Sequence, residues 1–162
     1  MKADLTIEPV PLEQKHVLGR LLQLYFYDFT EFLPLKLTAE GEYPYRYLDS
    51  YWAPEPGESR FAYFIRSGPD AELSGFAMVR VVNDVNVMAE FCVLRPYRRG
   101  GLGSAAVKLV FKKHPGRWLI HEVATNLPAQ AFWRRVIGEV TNGRFEEETE
   151  PDGALAQRFK LP

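Results

Sequence analysis

The spacing of apolar residues along the chain changes several times, and each change marks an element. Residues 5–10 alternate and read as a first strand. Residues 12–32 carry Leu18, Leu21, Leu22, Tyr25, Phe29 and Phe32 at helical spacing, and Pro34 stops that helix. Residues 35–51 have no clear period, although a short helix fits near 45–51. Residues 61–66, 75–82 and 85–94 are dense in aliphatic and aromatic residues and read as strands. Asn83-Asp84 supplies the hairpin turn between the last two. Residues 103–113 return to helical spacing, with Leu102, Ala106, Leu109 and Val110 on one side. Lys112 and Lys113 complement the dipole of the last turn, and Pro115-Gly116 ends it. A strand over 118–123 and a helix over 128–137, opened by Pro128, follow. Residues 139–141 fit a short strand and 155–161 a closing one. The order predicts an α/β (α+β) domain: a mixed sheet with helices packed on it.

The chain has 162 residues and reads as a single domain over 1–162, without repeats, low-complexity tracts or a dividing linker. Twenty basic and 21 acidic residues leave a formal net charge of -1. That balance argues against a nucleic-acid or membrane-surface partner. No run approaches the roughly 20 apolar residues a membrane helix needs. The amino-terminal stretch MKADLTIEPVPLEQKH lacks the apolar region of a secretory signal. A single cysteine, Cys92, excludes an internal disulfide framework and suits a reducing compartment. A cytoplasmic protein is expected. Oligomeric state is not legible in the sequence.

The most informative segment is FCVLRPYRRGGLGS, residues 91–104. A strand runs into a loop carrying Arg95, Arg98, Arg99, Gly100, Gly101 and Gly103, and a helix follows. Glycines allow successive backbone N–H groups to converge on one anion. The helix start adds unpaired N–H groups and its positive dipole end. The arginines raise the local potential, so a diphosphate is the natural guest. The loop is not a Walker A sequence, since no Gly-Lys-Ser/Thr is present, and it does not fit G-x-G-x-x-G. A nucleic-acid-binding use of Arg95–Arg99 is opposed by the overall charge.

Arg98-Arg99-Gly100-Gly101-Leu102-Gly103 resembles the coenzyme A loop of the GCN5-related N-acetyltransferases (GNAT), and Phe91-Cys92-Val93 resembles the strand before it. Downstream, NLPAQAFW (126–133) is similar to that family's Asn-x-x-Ala-x-x-Leu-Tyr segment. The strong resemblance covers residues 85–137. It implies a mostly antiparallel central sheet splayed between strands four and five, with helices on both faces. Acetyl-CoA, the acyl donor, would lie in the splay. Its pantetheine arm would run along Phe91, Cys92 and Val93, and its pyrophosphate would rest on Arg98, Arg99, Gly100, Gly101, Leu102, Gly103 and Ser104. Asn126 would approach the thioester. The implied activity is acetyl transfer to a primary amine, either a small molecule or the amine of a peptide or protein. A noncatalytic acyl-CoA-binding or sensing module on the same fold is the alternative.

Acetyl transfer needs a neutral amine, a polarised thioester carbonyl and a proton for the leaving thiolate. Glu90, at the entrance to the cofactor strand, is the first candidate for general base, with His121 and Glu122 behind it. Being adjacent on a strand, only one of those two should face the site. The position of the family's thiolate-protonating Tyr holds Trp133, a core aromatic in the simplest reading. Cys92 as a nucleophile has no evident His partner, and a buried apolar role fits it better. Tyr25 and Asp28, in an aromatic run on the first helix, are candidates to receive a cationic acceptor. His16, His114 and His121 are scattered, so no metal site is expected.

Overall fold

The computed structural model describes residues 4–162. The first three residues of the amino-terminal stretch read above as no secretory signal lie outside the described residues. Seven strands and three α-helices run in the order β1 (Leu5–Pro9), α1 (Lys15–Phe29), β2 (Glu58–Ser67), β3 (Glu72–Val82), β4 (Val85–Val93), α2 (Leu102–Lys113), β5 (Gly116–Glu122), α3 (Leu127–Thr141), β6 (Glu146–Thr149) and β7 (Leu155–Leu161). They form one sheet, β1-β2-β3-β4-β5-β7-β6. Every neighbouring pair is antiparallel except β4–β5, which α2 connects as a crossover. None of the described helices is long and apolar enough to cross a membrane.

Strand alternation divides the core into two layers. Ala62, Phe64, Phe76, Met78 and Cys92 face α1, where Leu18, Leu21 and Leu22 are buried. Tyr63, Ala77, Val79 and Met88 face α2 and α3, packing with Val107, Val110, Trp133, Val136 and Ile137. Burying residues of this size contributes about 1.5–3 kcal/mol each. Helices on both faces are therefore required to cover the sheet.

The parallel pairing is short. Val85, Asn86 and Val87 pair with Arg117, Trp118 and Leu119, and no further. Beyond them β4 and β5 diverge, giving the splay the resemblance implies. Asn86 holds the joined end: its buried amide nitrogen donates to the carbonyls of Pro115 at 3.2 Å and Arg117 at 3.1 Å. At the divergence β4 is bulged. Met78 pairs with Glu90 but Val79 pairs with Met88, so Ala89 is an extra residue.

Several boundaries differ from the sequence reading. α1 is shorter than 12–32: a 3₁₀ turn (Leu12–Gln14) precedes it and turns follow Phe29. Of the expected helix at 45–51, only a 3₁₀ turn (Asp49–Tyr51) forms. Residues 139–141 are the last turn of α3, not a strand. Asn142 (φ 53°) reverses the chain there, and the Gly143 N–H donates back to the Gly138 carbonyl at 2.9 Å. β6, wholly exposed and acidic, carries no hydrophobic period and was not expected. The Asn83-Asp84 turn forms as read, both residues having positive φ.

Candidate active site

The splay opens a cleft of about 1100 Å³ bordered by α1, β4, β5, the loop before α2 and the start of α3. At one end lies the glycine-rich loop. Arg99 (φ 69°) and Gly101 (φ 78°) turn the chain through left-handed conformations into α2. Gly101 is the N-cap and offers no side chain to the helix start, leaving its first N–H groups unpaired toward the cleft. Gly103 is needed for a different reason. A Cβ there would stand 3.3 Å from the Phe132 ring, so its absence lets α2 lie close to α3. An uncapped helix start in a cleft of this size fits a diphosphate followed by a long arm. Arg99, Gly101, Gly103 and Ser104 border the cleft; Gly100 and Leu102, included in the sequence reading, do not. Arg135, which sequence reading missed, adds a cation at this end with its guanidinium 5.8 Å from the Phe132 ring centroid. Its signal was its place three residues after Phe132 on one helix face.

Arg98 works mainly inward. Its Nε donates to the Val93 carbonyl at 2.6 Å and its NH2 group to Asp28 at 2.8 Å. Asp28 also accepts from Arg95 at 2.5 Å. The sequence reading offered Asp28 to a cationic acceptor; in the structure its carboxyl is engaged by these two arginines. Burial opposes its charge, but the two guanidinium groups prevail and hold its carboxyl below its ordinary range. Asp28 ties α1 to the glycine-rich loop.

Phe91, Cys92 and Val93 lie on the stretch of β4 that has lost β5 as neighbour, so its free edge faces the cleft. The Phe91 ring stacks on Phe132 at 5.9 Å and meets Trp133 edge-on at 5.5 Å. Trp133 is only 6% exposed and belongs to the core layer under α3. Cys92 is buried beneath α1, and burial pushes its thiol up to about 11. It is protonated and unsuited to attack. Asn126 caps α3, its side-chain oxygen accepting from the Ala129 N–H at 3.1 Å, while the residue borders the cleft.

Glu90 stands on the α1 face of β4, its carboxyl facing the Tyr25 hydroxyl. Burial raises its pKa to about 7, and the Tyr25 hydroxyl pulls the other way. Tyr25 is fixed by rings on three sides: Phe26 at 5.4 Å, Phe29 at 5.3 Å and Phe76 at 5.6 Å. His121 and Glu122 point to opposite faces, as strand alternation requires, yet both border the cleft, because it passes through the open sheet. His121 Nε2 lies 3.1 Å from Glu150 on the rim. The Thr125 hydroxyl donates to the Phe32 carbonyl at 2.8 Å, linking the segment after α1 to the start of α3. His114 lies elsewhere in the core, 2.7 Å from the Tyr63 hydroxyl. Among the described residues no group of side chains is arranged to hold a metal ion.

A family model described as the acetyltransferase (GNAT) family matches residues 21–138. Comparison with curated protein sequences gave no match. Solved structures sharing the fold include a GNAT-family acetyltransferase from Staphylococcus aureus Mu50, 11% identical over 98% of this chain and 100% of that one, with a TM-score of 0.66. The ribosomal-protein-S18-alanine N-acetyltransferase of Escherichia coli is 16% identical over 98% and 94%, with a TM-score of 0.61. The PaiA N-acetyltransferase of Thermoplasma acidophilum, in complex with coenzyme A, is 13% identical over 98% and 99%, with a TM-score of 0.61. With the family model spanning most of its length and the fold shared from end to end, this chain belongs to the acetyltransferase (GNAT) family.

Proposed function

We propose that the protein transfers an acetyl group from acetyl-CoA to an amine. The observation that carries this reading is the polarity of one cleft. Its α2 end offers unpaired backbone N–H groups with Arg99 and Arg135; its other end holds the half-buried carboxyl of Glu90. The thioester supplies an activated acyl carbon and a thiolate leaving group. Arg99, Gly101, Gly103 and Ser104 hold the diphosphate, and the free edge of β4 aligns the arm behind it. The cleft is also bordered by Glu31, Glu150 and Asp152, whose field favours a cationic amine. With a pKa of about 7, Glu90 is charged in a large fraction of molecules near neutrality and basic enough to take the amine proton. The Tyr25 hydroxyl orients that carboxylate. A free N–H of the splayed β4 edge polarises the thioester carbonyl.

Calorimetry with acetyl-CoA, NAD and ATP tests the first half of the reading, and acetyl-CoA should bind in preference to the others. Thiol release from acetyl-CoA, followed across a panel of small amines and peptide amino-termini, tests the second. Release that ignores the added amine would refute transfer; tight binding without release would instead describe an acyl-CoA sensor.

A further inference from the structure

The Glu122 carboxyl has no use in the mechanism above and, among the described residues, no ion pair of its own. It lies at the end of β5 and is 4% exposed. It shares its strand face with Trp118 and Ile120, which pack with Trp133 in the layer under α3. It borders the cleft just past the last β4–β5 pair, Val87 with Leu119. On α3 the nearby cation, Arg134, is committed elsewhere: its Nε donates to Glu147 at 2.7 and 3.1 Å. On β6, Glu147 itself adds a like charge. On its own strand, His121 is paired with Glu150, and across the splay stands a second carboxyl, Glu90. On β7 the fully buried Gln157 amide faces the two carboxyl oxygens, and its oxygen can accept from a protonated Glu122 just as its nitrogen can donate to an ionised one. A carboxyl this buried, with a like charge nearby and its one neighbouring cation already paired, is driven toward the neutral form. Burial, aided by Glu147, raises its pKa to about 8.

We propose that Glu122 is the proton donor to the departing sulfur, the role left vacant by Trp133. The inference rests on the transferase reading given above. In the step, the neutral amine nitrogen bonds to the acyl carbon and its proton passes to Glu90. The C–S bond breaks with its electron pair on sulfur, and the Glu122 proton moves to that sulfur. One proton then returns from the Glu90 carboxyl to Glu122 through solvent, so amide and free thiol leave with no net change. Two carboxyls of unlike environment on the two sides of one cleft thus divide base and acid between them.

Glu122→Gln keeps the shape of the side chain and the contact with Gln157. Turnover should fall ~10²-fold. The decline of kcat above pH 8, where Glu122 ionises in the native enzyme, should vanish. Acetyl-CoA affinity measured by calorimetry should change by less than about twofold. Adding Trp133→Tyr to Glu122→Gln should restore turnover at least about tenfold, by supplying a hydroxyl donor. Independently of any acceptor, carboxyl ¹³C NMR of the native protein with acetyl-CoA should show Glu122 neutral at pH 7. A Glu122 that is ionised at pH 7, or a folded Glu122→Gln enzyme with native turnover and an intact alkaline decline, overturns the proposal and leaves the transferase reading standing. Acetyl-CoA binding without release to any amine overturns both.

Discussion

Tyr25→Phe deletes one oxygen, the hydroxyl that faces Glu90, and leaves the ring in its aromatic cage. The hydroxyl hydrogen-bonds the ionised form of the carboxyl, so its loss disfavours that form. A hydrogen bond to a charged group is worth about 1.5–3 kcal/mol. At 1.36 kcal/mol per pH unit, the apparent pKa of Glu90 should climb from about 7 by roughly 1–2 units. Below pH 7 the variant should therefore turn over ~10–100-fold more slowly than the native enzyme, and the deficit should narrow steadily as pH rises. The ratio of the two rates is the quantity to measure, because groups titrating in both proteins cancel from it. In a Glu90→Gln background, itself ~10²-fold slower, Tyr25→Phe should add no pH dependence. A ratio constant from pH 6 to 9 would refute the coupling of Tyr25 to Glu90 and leave Tyr25 as a wall of the acceptor site.

Glu90→Gln should raise stability while lowering activity. A carboxyl whose pKa rises on folding, from 4.5 to about 7, costs nothing below the lower value and its full penalty above the higher. The melting temperature of the variant should thus exceed the native one at pH 8–9, with the advantage gone by pH 4–5. Asp28→Asn should weaken acetyl-CoA binding and leave the acceptor KM unchanged, because Asp28 holds Arg95 and Arg98; a raised acceptor KM alone would reinstate it as an acceptor contact. Gly101→Glu should abolish acetyl-CoA binding by calorimetry, with a circular dichroism spectrum like the native one. A Cβ there meets nothing within 4 Å, so the added charge enters the open anion site, at a modest cost for the positive φ. Trp133→Phe should lose about 1–2 kcal/mol of stability in a denaturant melt and keep most of its turnover; a folded variant ~10³-fold slower would show that the indole is catalytic.

The sequence determined most of the order of elements and the glycine-rich loop between β4 and α2. Both depend on local chemistry: apolar period, glycine conformational freedom, and a helix start following basic residues. It also placed Glu90 next to Phe91–Val93 on the strand bordering the cleft, since neighbours in sequence stay neighbours along a strand. It could not say which way that strand would face. The extra residue Ala89 breaks the alternation of β4, so Met88 points toward α3 while Glu90 and Cys92 point toward α1, and only pairing with β3 reveals the slip. Gly75 shows the same dependence. A Cβ there would lie 2.1 Å from the Cys92 carbonyl, a constraint set by the neighbouring strand and invisible in its own segment. Asp28 read as a free anion until folding brought Arg95 and Arg98 against it from 67 and 70 residues away. The environment of Glu122 was equally hidden, because its burial, its amide neighbour and the pairing of Arg134 with Glu147 come from β6, β7 and α3. Charge and burial at a site are sums over distant segments, and those sums exist only once the chain has closed on itself.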